Sequence, residues 1–301
     1  MNDPITATTR ICAVYGHPIK HSASPAMQNA GIAALGLNWR YVAFDVHPDN
    51  LREGIAGAKA MRFIGLNLTV PHKLLALQMV DVVDEAAKQW GAINTIRFEG
   101  RDGSTWRPLA ELPSDIETEI RTVGFNTDAD AIVRSLKEDL SLAIGGKRIL
   151  ILGAGGAGRA AALRIAQENP AELWLYNRTQ SKASEVAHQV SALNASANVR
   201  VGIPAGRVDL VLNATSLGLK LDDPLPIHDN GFELKNAAAV YDMIYRPAET
   251  PLLKAAQAAG CRTANGLGML LYQGAKALEI WSGKSAPIEV MRQALHRHVY
   301  V

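Results

Sequence analysis

The chain has 301 residues, 48% of them apolar and 20% charged, a balance typical of a soluble globular enzyme and enough for two modest domains or one large one. Its 31 basic and 29 acidic side chains leave a formal net charge of +2. No dense Lys/Arg cluster occurs, which excludes the usual nucleic-acid binder and leaves a small-molecule partner as the expectation. The N-terminal MNDPITATTR lacks the apolar core of a signal peptide, and no apolar run reaches the length of a membrane span. Cys12 and Cys261 stand in apolar runs without metal-ligand spacing. They are expected as buried free thiols of a cytoplasmic protein, and no metal is expected. Nothing in the sequence separates a monomer from a homodimer.

Short apolar runs at 11–15, 40–44, 63–68 and 93–98 read as strands, separated by helical stretches at 25–35, 50–60 and 71–79. After the first strand, Ser24-Pro25 forms a natural N-cap and first-turn pair. Capping accounts for Ser24 as well as ligand binding does, whereas Ser22 has no such duty and is the better candidate for a polar ligand. Pro71 should open a helix with Lys73 in its first turn, at the end where the macrodipole disfavours a cation. Two readings stay open for Lys73: chemistry, or a flexible side chain whose head reaches water. The charged segment 99–121, with Gly100, Gly103, Pro108 and Pro113, is expected as a hairpin extension or surface loop that decorates the fold. Asn126-Thr127-Asp128 then precede a helix to about Asp139, with Asp128 as its expected N-cap.

A second series starts with a strand at 147–152 and a helix at 157–167, followed by strands at 173–176, 209–213 and 239–242. Thr250-Pro251 should begin another helix and Gly260 end it, and a helical stretch runs from after Gly268 through Leu278. The alternation argues for an α/β chain with mainly parallel sheets. The domain boundary is expected near Asp128, with one domain of 1–127 completed by 266–301 and a second of 128–265.

Gly153-Ala154-Gly155-Gly156-Ala157-Gly158 follows the strand KRILIL and opens a helix. In that context each glycine has a steric reason to be there. The first permits a tight turn, the second the close approach of a pyrophosphate, and the third the packing of helix on strand. Unpaired amides at the helix start would face the phosphates. About 20 residues on, where NAD proteins place a carboxylate for the ribose 2′-hydroxyl, the chain reads Asn177-Arg178-Thr179 with Lys182 beyond. Forked guanidinium donors, a hydroxyl and an ammonium suit a 2′-phosphate, so NADP is expected over NAD.

The motifs GHPIKHSASP, GLNLTVPHK, GAINT, GFNTD, GAGGAG, NRT, NATSLG, YDMIYRP and GLGMLLYQGA occur in this order. Over nearly its full length the chain resembles the shikimate dehydrogenase family, which includes shikimate and quinate/shikimate dehydrogenases. The resemblance implies an N-terminal α/β substrate domain, a Rossmann-type NADP domain with a doubly wound parallel sheet, and an active site in the cleft between them. It implies that Lys73 and Asp128 are the catalytic pair. Ser22, Ser24, Thr69, Asn94, Asp128, Tyr245 and Gln273 would surround a polyhydroxylated ring and its carboxylate. Thr215, Met243, Gly266 and Met269 would shape the nicotinamide pocket. The implied reaction is interconversion of 3-dehydroshikimate and shikimate by hydride transfer with NADP(H). A relaxed or quinate/shikimate paralogue and an idle NADP-binding regulator are the other readings.

Three features depart from the commonest family pattern. Ala129-Asp130-Ala131 stands where glycines are usual, Gln28-Asn29 stands where His-Asn is frequent, and the 99–121 segment falls between two site motifs. Gln28-Asn29 is similar to the quinate/shikimate branch.

Overall fold

The structure, a computed structural model, describes residues 4–227 and 231–301. Two compact units divide the chain: Met1–Asp128 with Leu271–Val301, and Ala129–Leu270. Asp128 therefore counts with the first unit, and residues 266–270 with the second.

In the first unit β1 (Arg10–Gly16), α1 (Ser24–Ala34), β2 (Trp39–Asp45), α2 (Leu51–Ala60), β3 (Gly65–Leu68) and the single turn α3 (His72–Leu75) follow in order. Then come β4 (Val82–Val83), α4 (Glu85–Trp90), β5 (Thr95–Asp102), β6 (Thr105–Pro108) and β7 (Ile120–Phe125). The sheet order is β2-β1-β3-β5-β7-β4, with β6 added alongside β5. β1 pairs parallel with β2 and β3, but β5 runs antiparallel to β3, β6 and β7. Among the described residues β5 is thus the one strand that runs against the others in a sheet otherwise parallel as expected, and alternation of apolar residues carries no strand direction that could have singled it out. The β5–β6 hairpin turns through Gly103 at φ +61°, a backbone conformation suited to glycine.

Segment 99–121 is more than surface decoration. Glu99 is only 3% exposed; its carboxylate pairs with Arg97 and, at 2.7 Å, with Arg121. Leu109 and Leu112 are buried, and the Leu109 carbonyl accepts a hydrogen bond from the Arg10 guanidinium at 2.7 Å. Glu99 and Arg121, two of the charges that suggest a solvated segment, neutralise each other across the neighbouring strands β5 and β7.

The second unit carries most of α5 (Asp128–Leu140), then β8 (Arg148–Leu152), α6 (Gly156–Ala166), β9 (Glu172–Tyr176), α7 (Gln180–Leu193) and β10 (Val199–Val201). β11 (Leu210–Asn213), β12 (Ala239–Asp242), α8 (Pro251–Ala258) and β13 (Arg262–Asn265) complete its sheet. The six strands are parallel in the order β10-β9-β8-β11-β12-β13. This is the doubly wound arrangement, whose direction of winding reverses between β8 and β11. β11 and β12 are buried along their whole length, and β8 beyond its first residue, as expected for strands covered on both faces. Thr250 caps α8 by accepting from the Leu253 amide, and Gly260 at φ +82° follows its end, both as the sequence implies.

α9 (Leu267–Ser282) and α10 (Ile288–Tyr300) end the chain. Within the first unit Trp281 is fully buried and its indole N–H donates to the Ile96 carbonyl at 2.9 Å. A β-carbon on Gly65 would collide with that indole, so the ring lies flush on β3. Trp281→Phe should remove this bond, the Ile96 carbonyl keeping its place opposite Leu66 in the sheet, and cost about 0.5–1.5 kcal/mol. Urea unfolding followed by circular dichroism checks this; an unchanged midpoint would mean that the bond contributes nothing net. No helix among the described residues is long and apolar enough to cross a membrane. Cys12 and Cys261 are buried free thiols.

Candidate functional site

Strand register gathers most of the predicted substrate residues on one edge of the first sheet. Tyr15 lies opposite Leu68, Asn67 opposite Thr95, and Thr95 opposite Phe125. Because β5 is antiparallel, its N-terminal end meets the C-terminal ends of β1, β3 and β7. The segments leading from those ends carry Ser22 and Ser24, Thr69 and Lys73, Asn94, and Asp128. Lys73 Nζ donates to Asp128 Oδ2 at 2.7 Å, with the two side chains 31% and 17% exposed. The pair is partly desolvated yet open to solvent on one side.

Asn94 is the strut beneath this pair. Its side chain is 1% exposed, Oδ1 accepts from the Thr127 amide at 2.8 Å, and Nδ2 donates to Thr127 Oγ1 at 2.9 Å. One amide hydrogen of Asn94 is left for another acceptor. The Lys73 carbonyl accepts from the Ile93 amide at 2.8 Å, so the ion pair is tied on one side to the Ile93 backbone and on the other, through Thr127, to the Asn94 side chain. Thr69 is half-buried, its amide donates to the Tyr15 carbonyl, and its hydroxyl makes no hydrogen bond among the described residues. That hydroxyl is the kind of group that a polar ligand can satisfy.

Four local expectations need correction. Ser24 is the first residue of α1, not its cap; Ala23 holds the cap position with helical dihedrals and no side-chain bond. Ser22 does have a structural contact, a long 3.4 Å bond from the Ser24 amide to its Oγ. Asp128 is likewise the first residue of α5, its amide donating to Asn126 Oδ1 at 3.1 Å while its carboxylate faces Lys73. The helix that carries Lys73 is only four residues long, too short for a macrodipole to act strongly on its charge. The ion pair, not a helix terminus, is the electrostatic fact at this lysine.

Gln28 on α1 is fully buried; Nε2 donates to the Gly274 carbonyl at 2.8 Å and Oε1 has no partner among the described residues. The bond fixes α9 next to Gln273, which is half-buried. Tyr245, also expected at the substrate, belongs to the second unit, where burial raises its phenol pKa.

The second unit assembles the predicted cofactor residues. Gly153 has φ +101° and lies against Ala214 and Thr215, so the turn after β8 touches the segment after β11 at the point where winding reverses. A β-carbon on Gly158 would collide with the Gly153 carbonyl. Gly155 and Gly156 face open space, and α6 starts from Gly155 without a side-chain cap. Bare amides and empty volume above them fit a pyrophosphate. Asn177 Oδ1 accepts from the Ala154 amide at 3.1 Å, and Nδ2 donates to the Thr179 carbonyl at 2.9 Å. Arg178, Thr179 and Lys182 are exposed, and among the described residues neither cation pairs with an acid. Gly266 packs on the Met243 carbonyl so tightly that only glycine fits, and Met269 follows in the first turn of α9.

Two buried polar residues were missed as individuals: Asn213 and Asp242, each 0% exposed. Both end strands of the second sheet and lie within motifs noted in the sequence, NATSLG and YDMIYRP. An acid and an amide closing otherwise apolar strands were the available signal. Among the described residues no cluster of His, Cys, Asp or Glu could hold a metal ion.

Three family models match the chain: the shikimate dehydrogenase substrate binding domain over residues 14–96, shikimate/quinate 5-dehydrogenase over 135–218, and the shikimate 5′-dehydrogenase C-terminal domain over 266–296. Shikimate dehydrogenase (NADP(+)) of Moorella thermoacetica is 41% identical, with 97% of this chain and 94% of that protein covered. A crystal structure of a shikimate dehydrogenase in complex with NADP+ is 36% identical with a TM-score of 0.85, covering 100% of this chain and 99% of the other. The ligand-free 5-ketofructose reductase of Gluconobacter sp. strain CHM43 is 32% identical with a TM-score of 0.80, covering 97% and 100%. Near-complete coverage at these identities, on a fold that carries the expected glycine turn and Lys–Asp pair, establishes that the chain belongs to the shikimate dehydrogenase family.

Proposed function

We propose that the chain interconverts 3-dehydroshikimate and shikimate with NADP(H), a reading carried by the 2.7 Å pair of Lys73 and Asp128 on the polar edge of the first sheet. When bound, the nicotinamide supplies or accepts the hydride. The chain's residues handle the proton and the orientation of the ring. In the reducing direction the Lys73 ammonium donates a proton to the oxygen that gains negative charge as the carbonyl carbon is reduced. Asp128 holds the ammonium in place and accepts a hydrogen bond from a neighbouring ring hydroxyl. Ser22, Ser24, Thr69, Asn94, Tyr245 and Gln273 contribute hydroxyl, phenol and amide groups suited to the remaining hydroxyls and the ring carboxylate.

The glycine turn from Gly153 to Gly158 holds the pyrophosphate, Asn177 and Thr179 frame the ribose, and Arg178 and Lys182 bind the 2′-phosphate. Thr215, Met243, Gly266 and Met269 line the nicotinamide side. Two buried free thiols fit a reducing, cytoplasmic setting.

A panel of shikimate, quinate and aminoshikimate against NADP and NAD tests the reading. Shikimate with NADP should give the highest kcat/KM, exceeding quinate with NADP by about 10²-fold, the scale on which a pocket rejects an added hydroxyl. Quinate equal to or ahead of shikimate would make this a quinate/shikimate enzyme. NADPH binding without turnover of any member would leave only a regulatory protein.

A further inference from the structure

Asp242 is a buried carboxylate with no cationic partner among the described residues, at the end of β12 in the second unit. Its Oδ2 accepts from Thr250 Oγ1 at 2.7 Å. Its Oδ1 accepts from the Ile244 amide at 3.1 Å and from Asn213 Nδ2 at 3.0 Å. Asn213 also donates to the Leu217 carbonyl at 3.1 Å, and its Oδ1 accepts from the Thr215 amide at 3.0 Å and the Thr215 hydroxyl at 2.7 Å. Thr215 Oγ1 in turn accepts from the Leu217 amide at 3.1 Å. Burial pushes the Asp242 carboxyl above its ordinary pKa against the opposing effect of the three donors. A group so disfavoured by desolvation needs a positional reason to be there.

That reason lies in what the donors carry. Thr215 and Met243 stand on the two segments that leave β11 and β12, and the Met243 amide bonds the Asn213 carbonyl at 3.0 Å. A carboxylate only accepts, so Asp242 fixes the Asn213 amide with its nitrogen inward and its oxygen toward Thr215. The Thr215 hydroxyl hydrogen is thereby spent on Asn213. The bond to the Ile244 amide shapes the turn through Met243, on whose carbonyl Gly266 packs.

We propose that Asp242 is a positioning residue for the nicotinamide half of the cofactor, acting through Asn213 on Thr215 and through the Ile244 amide on Met243. The inference rests on the reading that this unit binds NADP(H). The adenosine half is held elsewhere, at β9 and the glycine turn, so the two halves should respond separately.

The test compares Kd for NADPH with Kd for 2′,5′-ADP, which lacks the nicotinamide half, by titration calorimetry on the full-length protein and on Asp242→Asn. The asparagine keeps the shape and one acceptor but removes the charge and misplaces a donor. NADPH affinity should fall about tenfold, as expected for the loss of one or two buried bonds, with 2′,5′-ADP affinity changed less than twofold. Asn213→Ala, which cuts the link to Thr215 and leaves Asp242 bonded to Thr250 and Ile244, should give the same split. If neither variant separates the two ligands, whether both affinities fall together or neither falls, the proposal is overturned while the cofactor reading stands. Wild-type protein that binds neither ligand overturns both.

Discussion

Lys73→Ala should lower kcat for shikimate oxidation about 10²- to 10⁴-fold while the Kd for NADPH stays within about twofold of the parent, the range expected when a positioned proton donor is lost. The expectation follows from the placement of the pair. Lys73 Nζ lies 2.7 Å from Asp128 Oδ2, and both backbones are pinned to the strand that begins at Thr95, through the Lys73 carbonyl and through Asn94 and Thr127. Truncating the side chain removes the proton donor without loosening that scaffold. Asp128→Asn should reduce kcat less severely and raise the KM for shikimate, because the amide still occupies the position but no longer holds the ammonium or accepts as strongly from a ring hydroxyl. Steady-state kinetics with shikimate and fluorescence titration with NADPH check both variants. A Lys73→Ala protein with kcat within fivefold of the parent would remove the lysine from the chemistry and leave it as a surface cation.

The parts of this fold that were legible in the sequence are those decided by neighbouring residues. The Gly153–Gly158 turn could be read because a strand, a tight turn and a close helix each demand glycine at a fixed position, and the collision that any Gly158 side chain would suffer confirms the demand. Thr250-Pro251 was legible for the same reason: cap and first turn adjoin in the chain. Ser24 and Asp128 have the composition of caps, but each helix starts at that residue, not after it, because tertiary contacts claim the side chain or the preceding backbone. Asp128 faces a lysine 55 residues away. The direction of β5, and the burial of Glu99 between Arg97 and Arg121, were hidden because they depend on which strands become neighbours. Asn94 illustrates the limit on the site itself. Its membership was visible in the GAINT motif, but its work as a strut under Thr127 required the two loops to be seen together.

The second large effect concerns the choice of cofactor. Arg178→Ala should lower kcat/KM for NADP about 10- to 100-fold, and adding Lys182→Ala should lower it several-fold further, with kcat/KM for NAD changed less than about threefold. Both side chains are exposed just beyond β9, and among the described residues neither is engaged by an acid. No acidic residue stands in the stretch from Asn177 to Lys182 to hold a free 2′-hydroxyl or repel a 2′-phosphate. The energy therefore comes from charge-assisted bonds made only to the phosphate, which NAD lacks. Asn177 supports the geometry from below, linking the glycine turn to the Thr179 carbonyl, so a change at Arg178 should not propagate to the pyrophosphate. Because the cations are solvated, their contribution is screened, and the NADP preference of the parent should itself decline between about 50 mM and 500 mM salt. Kinetics with both cofactors at two ionic strengths separate this account from a general loss of binding. An equal fall for NADP and NAD in Arg178→Ala would place the arginine under the shared part of the dinucleotide, and an absence of any fall would make it an ordinary solvated side chain.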